Sequence, residues 1–326
     1  ETFLMDKKKR CIICVPEYEK YMDRERLEGM SQNRKILKKC VITGFADEID
    51  ANVDKQLALL KQLGITHVEF RSGDGINVAD YTLEQAKVLK LKLDDNGIRV
   101  SAIGSPIGKI GIEDAFAPHL EKLSHVMDIA EILDTKYIRM FSFFMPDEKA
   151  SGKKPEDYRE EVFSRMEAME ELAADRGFVL LHENEKDIYG DIAPRCLELM
   201  ERFYGEHFKS TFDFANFVQA DQDTWEAYKL LKEDIAYIHV KDAIKGTGQV
   251  VPAGMGDGNV EVILKDLYAD GFKGFLSLEP LLFNFTGFAG LEKGENNIGG
   301  GPAKVLSGEE AFALAHDSLL KILVTL

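Results

Sequence analysis

The chain has 326 residues, 45% hydrophobic and 30% charged, a balance that suits one large globular domain or two small ones. Its formal net charge of -16 argues against nucleic acid as the main partner, because binding a phosphate backbone runs on clustered Lys and Arg. No apolar run reaches the roughly 20 residues that a membrane span needs.

Residues 1–39 differ from the rest. A basic start, Lys7-Lys8-Lys9-Arg10, gives way to charged residues with little apolar periodicity, so a helical or irregular extension outside the main domain is expected. The apolar stretch Cys11–Val15 ends at Pro16, too short for a signal-peptide core, and a translation start at Met5 or Met30 stays open. Cys11 and Cys14 form a CxxC, but no second pair or nearby His pair completes a zinc site. Together with Cys40 and Cys196 they are too few and too scattered for a disulfide framework, and a reducing, cytoplasmic setting is expected.

From Val41 the chain alternates. Val41–Phe45 reads as a strand and Asp50–Leu63 as an amphipathic helix stopped by Gly64. His67–Phe70 is the second strand. Thr82 and Gln85 make a capping box for a helix running to Asn96, and Gly97 ends it. Arg99–Ile103 is the third strand, followed by a glycine-rich loop, Gly104–Gly108. Then come helix 118–133, strand Tyr137–Phe141, helix Pro155–Arg176, strand Val179–Leu181, helix Pro194–Phe203, strand Ser210–Phe212 and helix Thr224–Leu231. Strand Ile235–Val240, helix Val260–Asp270, strand Phe275–Leu278 and helix Gly308–Leu323 complete eight strand–helix pairs. Such alternation calls for a parallel sheet, and eight units for a single (β/α)8 TIM barrel over residues 40–326. No GxGxxG follows the first strand, which counts against a dinucleotide fold. The long loops Lys241–Asn259 and Pro280–Ser307, the latter with Phe283, Phe285, Phe288 and Gly299–Pro302, are expected to form a lid or an oligomer contact at the mouth.

Four strands end on metal-ligand types: Glu183, Asp213, His239 and Glu279. Any one of them would more simply cap a strand or join an ion pair, but four in succession point to one divalent cation. Mixed carboxylate and imidazole ligation suits Mn²⁺, the expected ion, with Mg²⁺, Co²⁺ or Zn²⁺ as alternatives. Glu183 and Glu279 are placed to move protons next to a carbonyl while a metal holds the enediolate charge. Around them Asn216, Lys241, Asp242, Lys245, Glu69, Arg71, Arg139 and Glu185 are expected to reach substrate or to pair inside the barrel. His182 precedes Glu183, so alternation turns it away as a buried histidine.

These residues carry a resemblance. Gly44-Phe45-Ala46-Asp47-Glu48-Ile49, Val68-Glu69-Phe70-Arg71, Leu181–Glu185, Phe212–Asn216, Ile238–Asp242, Gly254–Gly258 and Leu278-Glu279-Pro280 together resemble the xylose-isomerase-like barrel superfamily of sugar and sugar-phosphate isomerases and epimerases. The resemblance implies one divalent ion on Glu183, Asp213, His239 and Glu279, with Glu183 and Glu279 transferring protons on opposite faces of a sugar or sugar phosphate. Homo-oligomers are common for such barrels. Three departures set the chain apart from free-ketose 3-epimerases: Asn216 stands for a second histidine, Tyr189 for a carboxylate and Lys245 for an arginine. A metal-dependent lyase or deglycosidase on the same barrel, or a non-catalytic sugar-binding barrel, is the alternative. An abasic-site endonuclease is disfavoured by Gly104-Ser105-Pro106 in place of a ligand and by the acidic charge.

Overall fold

Short β-branched and aromatic runs separated by amphipathic helices leave one compact solution, in which each strand lies beside the next, joined by a right-handed crossover. The computed structural model describes residues 40–282 and 306–326. Expectations for residues 1–39, for the Cys11–Cys14 motif and for the lid at Phe283, Phe285, Phe288 and Gly299–Pro302 lie outside the described residues. The strands are β1 (Val41–Gly44), β2 (His67–Phe70), β3 (Arg99–Ile107), β4 (Tyr137–Met140), β5 (Val179–Glu183), β6 (Phe208–Asp213), β7 (Ile235–Val240) and β8 (Phe275–Leu278). The main helices are α1 (Val53–Gln62), α2 (Leu83–Asn96), α3 (Ala117–Ile132), α4 (Arg159–Arg176), α5 (Ala193–Phe203), α6 (Thr224–Leu231), α7 (Val260–Ala269) and α8 (Gly308–Leu323).

All ladders of the eight-stranded sheet are parallel, in the order β1-β8-β7-β6-β5-β4-β3-β2, and β1 lies beside β2. The result is a nearly closed TIM barrel. Thr82 caps α2 in the expected box with Gln85, and Gly97 ends it in the left-handed region at φ 68°. The main apolar core fills the space between strands and helices, while the barrel interior combines a small apolar cluster around Leu181, Tyr237 and Phe275 with polar groups. There Thr43 Oγ1 meets Ser101 Oγ at 2.8 Å, Ser101 Oγ meets the Tyr237 hydroxyl at 2.9 Å, and Ser277 Oγ donates to Glu69 at 2.6 Å. Among the described residues no helix is long and apolar enough to cross a membrane.

The structure differs from expectation at β3, which runs on through Gly104–Ile107 instead of ending in a loop. Its glycine marks close packing. A Cβ at Gly104 would meet the Phe45 ring at 2.6 Å, and the ladder continues as Phe141 N donates to Ile107 O at 2.8 Å. Further unexpected elements sit within the mouth loops. They are the short helix Phe214–Gln219 and two hairpins, Ser72–Gly73 with Ile76–Asn77 and Asp242–Ala243 with Val250–Val251.

Candidate metal centre

Strands β5 to β8 bring Glu183, Asp213, His239 and Glu279 to one end of the barrel. Parallel register sets Asp213 opposite His239, and His239 opposite Ser277, two residues before Glu279. All four side chains are buried, and one ligand atom from each lies within 4.8 Å of the other three. His239 Nδ1 is 3.0 Å from Glu183 Oε1, 3.8 Å from Glu279 Oε2 and 4.0 Å from Asp213 Oδ2.

The far atom of each ligand is anchored. Glu183 Oε2 accepts from Arg139 at 3.3 Å, and Glu279 Oε1 from Arg71 at 3.3 Å. Asp213 Oδ1 caps the short helix after β6 by accepting from Asn216 N at 2.8 Å. His239 Nε2 faces Glu69 Oε2 at 3.1 Å. The inner atoms are thereby aimed at one another. Asp213 Oδ2 and His239 Nδ1 are buried and make no hydrogen bond, although the Lys241 ammonium stands 3.3 Å from the former. These two buried polar atoms without a hydrogen bond, beside two further carboxylate oxygens, are the donor set that a hard or borderline divalent cation takes up once the imidazole gives up its Nδ1 proton. The residues fit such an ion.

Electrostatics follow from crowding buried charge. Burial raises the Asp213 carboxyl to about 7, reinforced by Glu279 and Glu183 and opposed by Lys241. Burial works the same way on Glu279, but Lys241, His239, Arg71 and Arg139 outweigh it and hold that carboxyl well below its usual range. Burial would also lower His239 and Lys241, yet the surrounding carboxylates raise both.

The expected neighbours separate into groups. Arg71 grips Asp47 with Nε and Nη2, at 2.8 and 3.0 Å, while also reaching Glu48 and Glu279. Arg139 binds Glu183 and the carbonyls of Gly104 and Ser105. Phe45 lies between the two guanidiniums, with their carbons 4.3 and 4.8 Å from its ring centre, and sets its ring against that of His239. Asn216 Nδ2 donates to Glu183 Oε1 at 3.2 Å, and Glu185 pairs with Lys109 at 3.2 Å.

Three residues expected to reach substrate have partners of their own within the chain. Glu69 lies inside the barrel, engaged with His239 and Ser277. Asp242 spends both carboxylate oxygens on backbone amides: Gly254 and Gly256 on Oδ2, Gly258 and Ala243 on Oδ1. Lys245 is exposed and pairs with Asp221 at 3.3 Å. His182 is turned away as alternation requires, bonded to Ser142 Oγ at 3.0 Å.

Sequence reasoning assigned no role to Asp47, Glu48, Phe45 or Lys109. The acidic pair after β1 was the available signal for the first two, since buried acids require buried cations.

A family model described as a xylose isomerase-like TIM barrel matches residues 57–292. No curated protein matches the sequence. Among solved structures, the chain is similar to the probable 3-DHS dehydratase AsbF of Bacillus anthracis, with 17% identity and a TM-score of 0.63, covering 86% of this chain and 98% of that one. It is also similar to the 3-keto-D-glucoside 4-epimerase YcjR of E. coli, at 16% identity and a TM-score of 0.60, over 87% of this chain and 98% of that one. An IOLI protein with a bound zinc atom shares 14% identity at a TM-score of 0.67, over 87% and 98% of the respective chains.

Proposed function

The chain belongs to the xylose isomerase-like TIM-barrel family, and on that premise we propose that it is a divalent-metal-dependent isomerase or epimerase of a small sugar or sugar phosphate. One observation carries the reading. Glu183 and Glu279, on β5 and β8, each have one oxygen fixed by an arginine and the other turned toward a centre shared with Asp213 and His239.

Glu183, Asp213, His239 and Glu279 would hold the ion. When bound, a divalent cation supplies a Lewis acid that polarises a carbonyl and its neighbouring hydroxyl. The chain's own residues do the rest. Glu183 Oε1 and Glu279 Oε2 come from different strands, so one takes a proton from the carbon beside the carbonyl while the other returns a proton from another side. Arg139 and Arg71 hold the outer oxygens of these carboxylates in place. Asn216 fixes Glu183 and lies where it can also touch substrate oxygens. The zinc described for the IOLI protein supports a metal here, and Mn²⁺ is our proposed ion.

A lyase reading shares the first step, since β-elimination also begins with removal of the proton beside a carbonyl, and one similar structure bears a dehydratase title. The products separate the two. Incubated in D₂O with ketoses, ketose phosphates and keto-glycosides, the enzyme should place deuterium beside the carbonyl only when Mn²⁺ is supplied. Glu183→Gln and Glu279→Gln should each slow exchange by about 100-fold or more. Exchange that survives chelation undiminished sinks the metal reading, and release of water or an alcohol without exchange into recovered substrate favours the lyase.

A further inference from the structure

Lys241 follows β7 and lies two residues beyond His239, so strand alternation turns both side chains inward. The lysine is 5% exposed. Its Nζ stands 3.0 Å from Glu279 Oε2 and 3.3 Å from Asp213 Oδ2. These are the inner oxygens of the centre, the ones 3.8 and 4.0 Å from His239 Nδ1. Arg71 and Arg139, by contrast, contact Glu279 and Glu183 at their outer oxygens.

We infer that Lys241 competes with the metal: its ammonium claims two of the four atoms that a divalent ion needs, and gives them up when the ion binds. This rests on the metal reading above. The physical argument is one of charge and reach. An ammonium is a point charge on a flexible four-carbon stem, so it can pair with converging carboxylates and then withdraw, as a rigid guanidinium fork cannot. A divalent ion binds the same oxygens at about 2.0–2.2 Å and repels a neighbouring cation, so both cannot hold those atoms at full strength. Lys241 therefore keeps Asp213 and Glu279 from repelling each other and makes metal binding weaker than the four ligands alone would give. Once displaced, the ammonium lies at the edge of the centre, where a substrate oxygen can take the place of the carboxylates.

Titration of the full chain with Mn²⁺ by calorimetry tests this, comparing the wild type with Lys241→Met. The methionine variant should bind Mn²⁺ at least about tenfold more tightly, because no internal cation has to be displaced. A lysine that merely supports the fold would leave affinity unchanged or weaken it, and either result overturns the inference. A wild type that binds no Mn²⁺ would sink the metal reading itself, whereas a wild type that binds with no gain in the variant sinks the competition alone. Should Lys241→Met fail to fold, a crystal structure of the Mn²⁺-loaded wild type decides. Nζ moved out of hydrogen-bond reach of both carboxylates supports displacement, and Nζ still bridging them refutes it.

Discussion

Glu69 Oε2 lies 3.1 Å from Nε2 of His239, on the side of the imidazole facing away from the centre. With an ion bound, this pairing would hold the proton on Nε2 and leave Nδ1, which faces Glu183, Asp213 and Glu279, free to ligate. Burial would raise the Glu69 carboxyl, but His239 outweighs it and keeps Glu69 ionised, with Ser277 donating a further hydrogen bond. Glu69→Gln removes the charge while keeping the shape. Its Mn²⁺ affinity should fall about 10–100-fold, measurable by calorimetry at a temperature where circular dichroism shows the metal-free variant folded. An unchanged affinity would mean that Glu69 does not orient the imidazole.

Gly108 ends β3 at φ 88°, and a Cβ there would sit 1.9 Å from the Phe141 carbonyl oxygen. Both the backbone angle and the contact exclude a side chain. Gly108→Ala should therefore cost at least about 2 kcal/mol of stability, read as a lowered denaturant midpoint. The variant also bears on the site, because Phe141 stacks against Arg139 and Lys109.

Asp242 gathers the amides of Gly254, Gly256 and Gly258 onto one carboxylate, and a Cβ at Gly256 would collide with Asp242 at 2.4 Å. Charge-assisted bonds of this kind contribute about 1.5–3 kcal/mol each in net terms. Asp242→Ala should free the loop of residues 243–259 while the barrel stays folded. Limited proteolysis should then cut that loop faster in the variant than in the wild type, at unchanged far-ultraviolet circular dichroism.

Two buried histidines make the fold sensitive to acid. Burial holds His182 down to about 3, and burial helped by Lys122 and Arg165 holds His119 down to about 4. Unfolded histidine titrates near 6.5. Below that value the unfolded chain takes up more protons than the folded one, so this contribution is complete above about pH 6.5 and is lost as pH falls toward 4. His119 must be neutral to accept the Gly108 amide at Nε2. His119→Gln can still accept that bond without gaining charge, so its thermal midpoint should rise relative to wild type as pH drops from about 6.5 to about 4. A difference that does not vary with pH would show that His119 titrates normally.

The sequence revealed most where one residue carries its own periodicity or cap. The Thr82–Gln85 box is legible from its own spacing, and the convergence of Glu183, Asp213, His239 and Glu279 and the turned-away His182 are legible because alternation fixes which face a side chain takes. What alternation does not fix is the partner across the barrel. Glu69 and His239 are 170 positions apart and Lys109 and Glu185 are 76 apart, so nothing local pairs them. The run Gly104–Gly108 looked like a loop because glycine signals both turns and tight packing, and only Phe45 pressing on Gly104 distinguishes them. Asp242 looked available to substrate because its partners are backbone amides, which no residue type announces.

The ladder between β1 and β8 joins Val41 to Phe275 and Gly44 to Leu278. During synthesis the opening strand therefore waits for more than two hundred residues before its hydrogen-bonding mate leaves the ribosome. Loop closure over that distance is slow relative to local pairing. Glu279 emerges just behind that mate, so ring closure and the fourth residue of the candidate centre arrive together, and a growing chain gathers Glu183, Asp213, His239 and Glu279 only as its circle shuts.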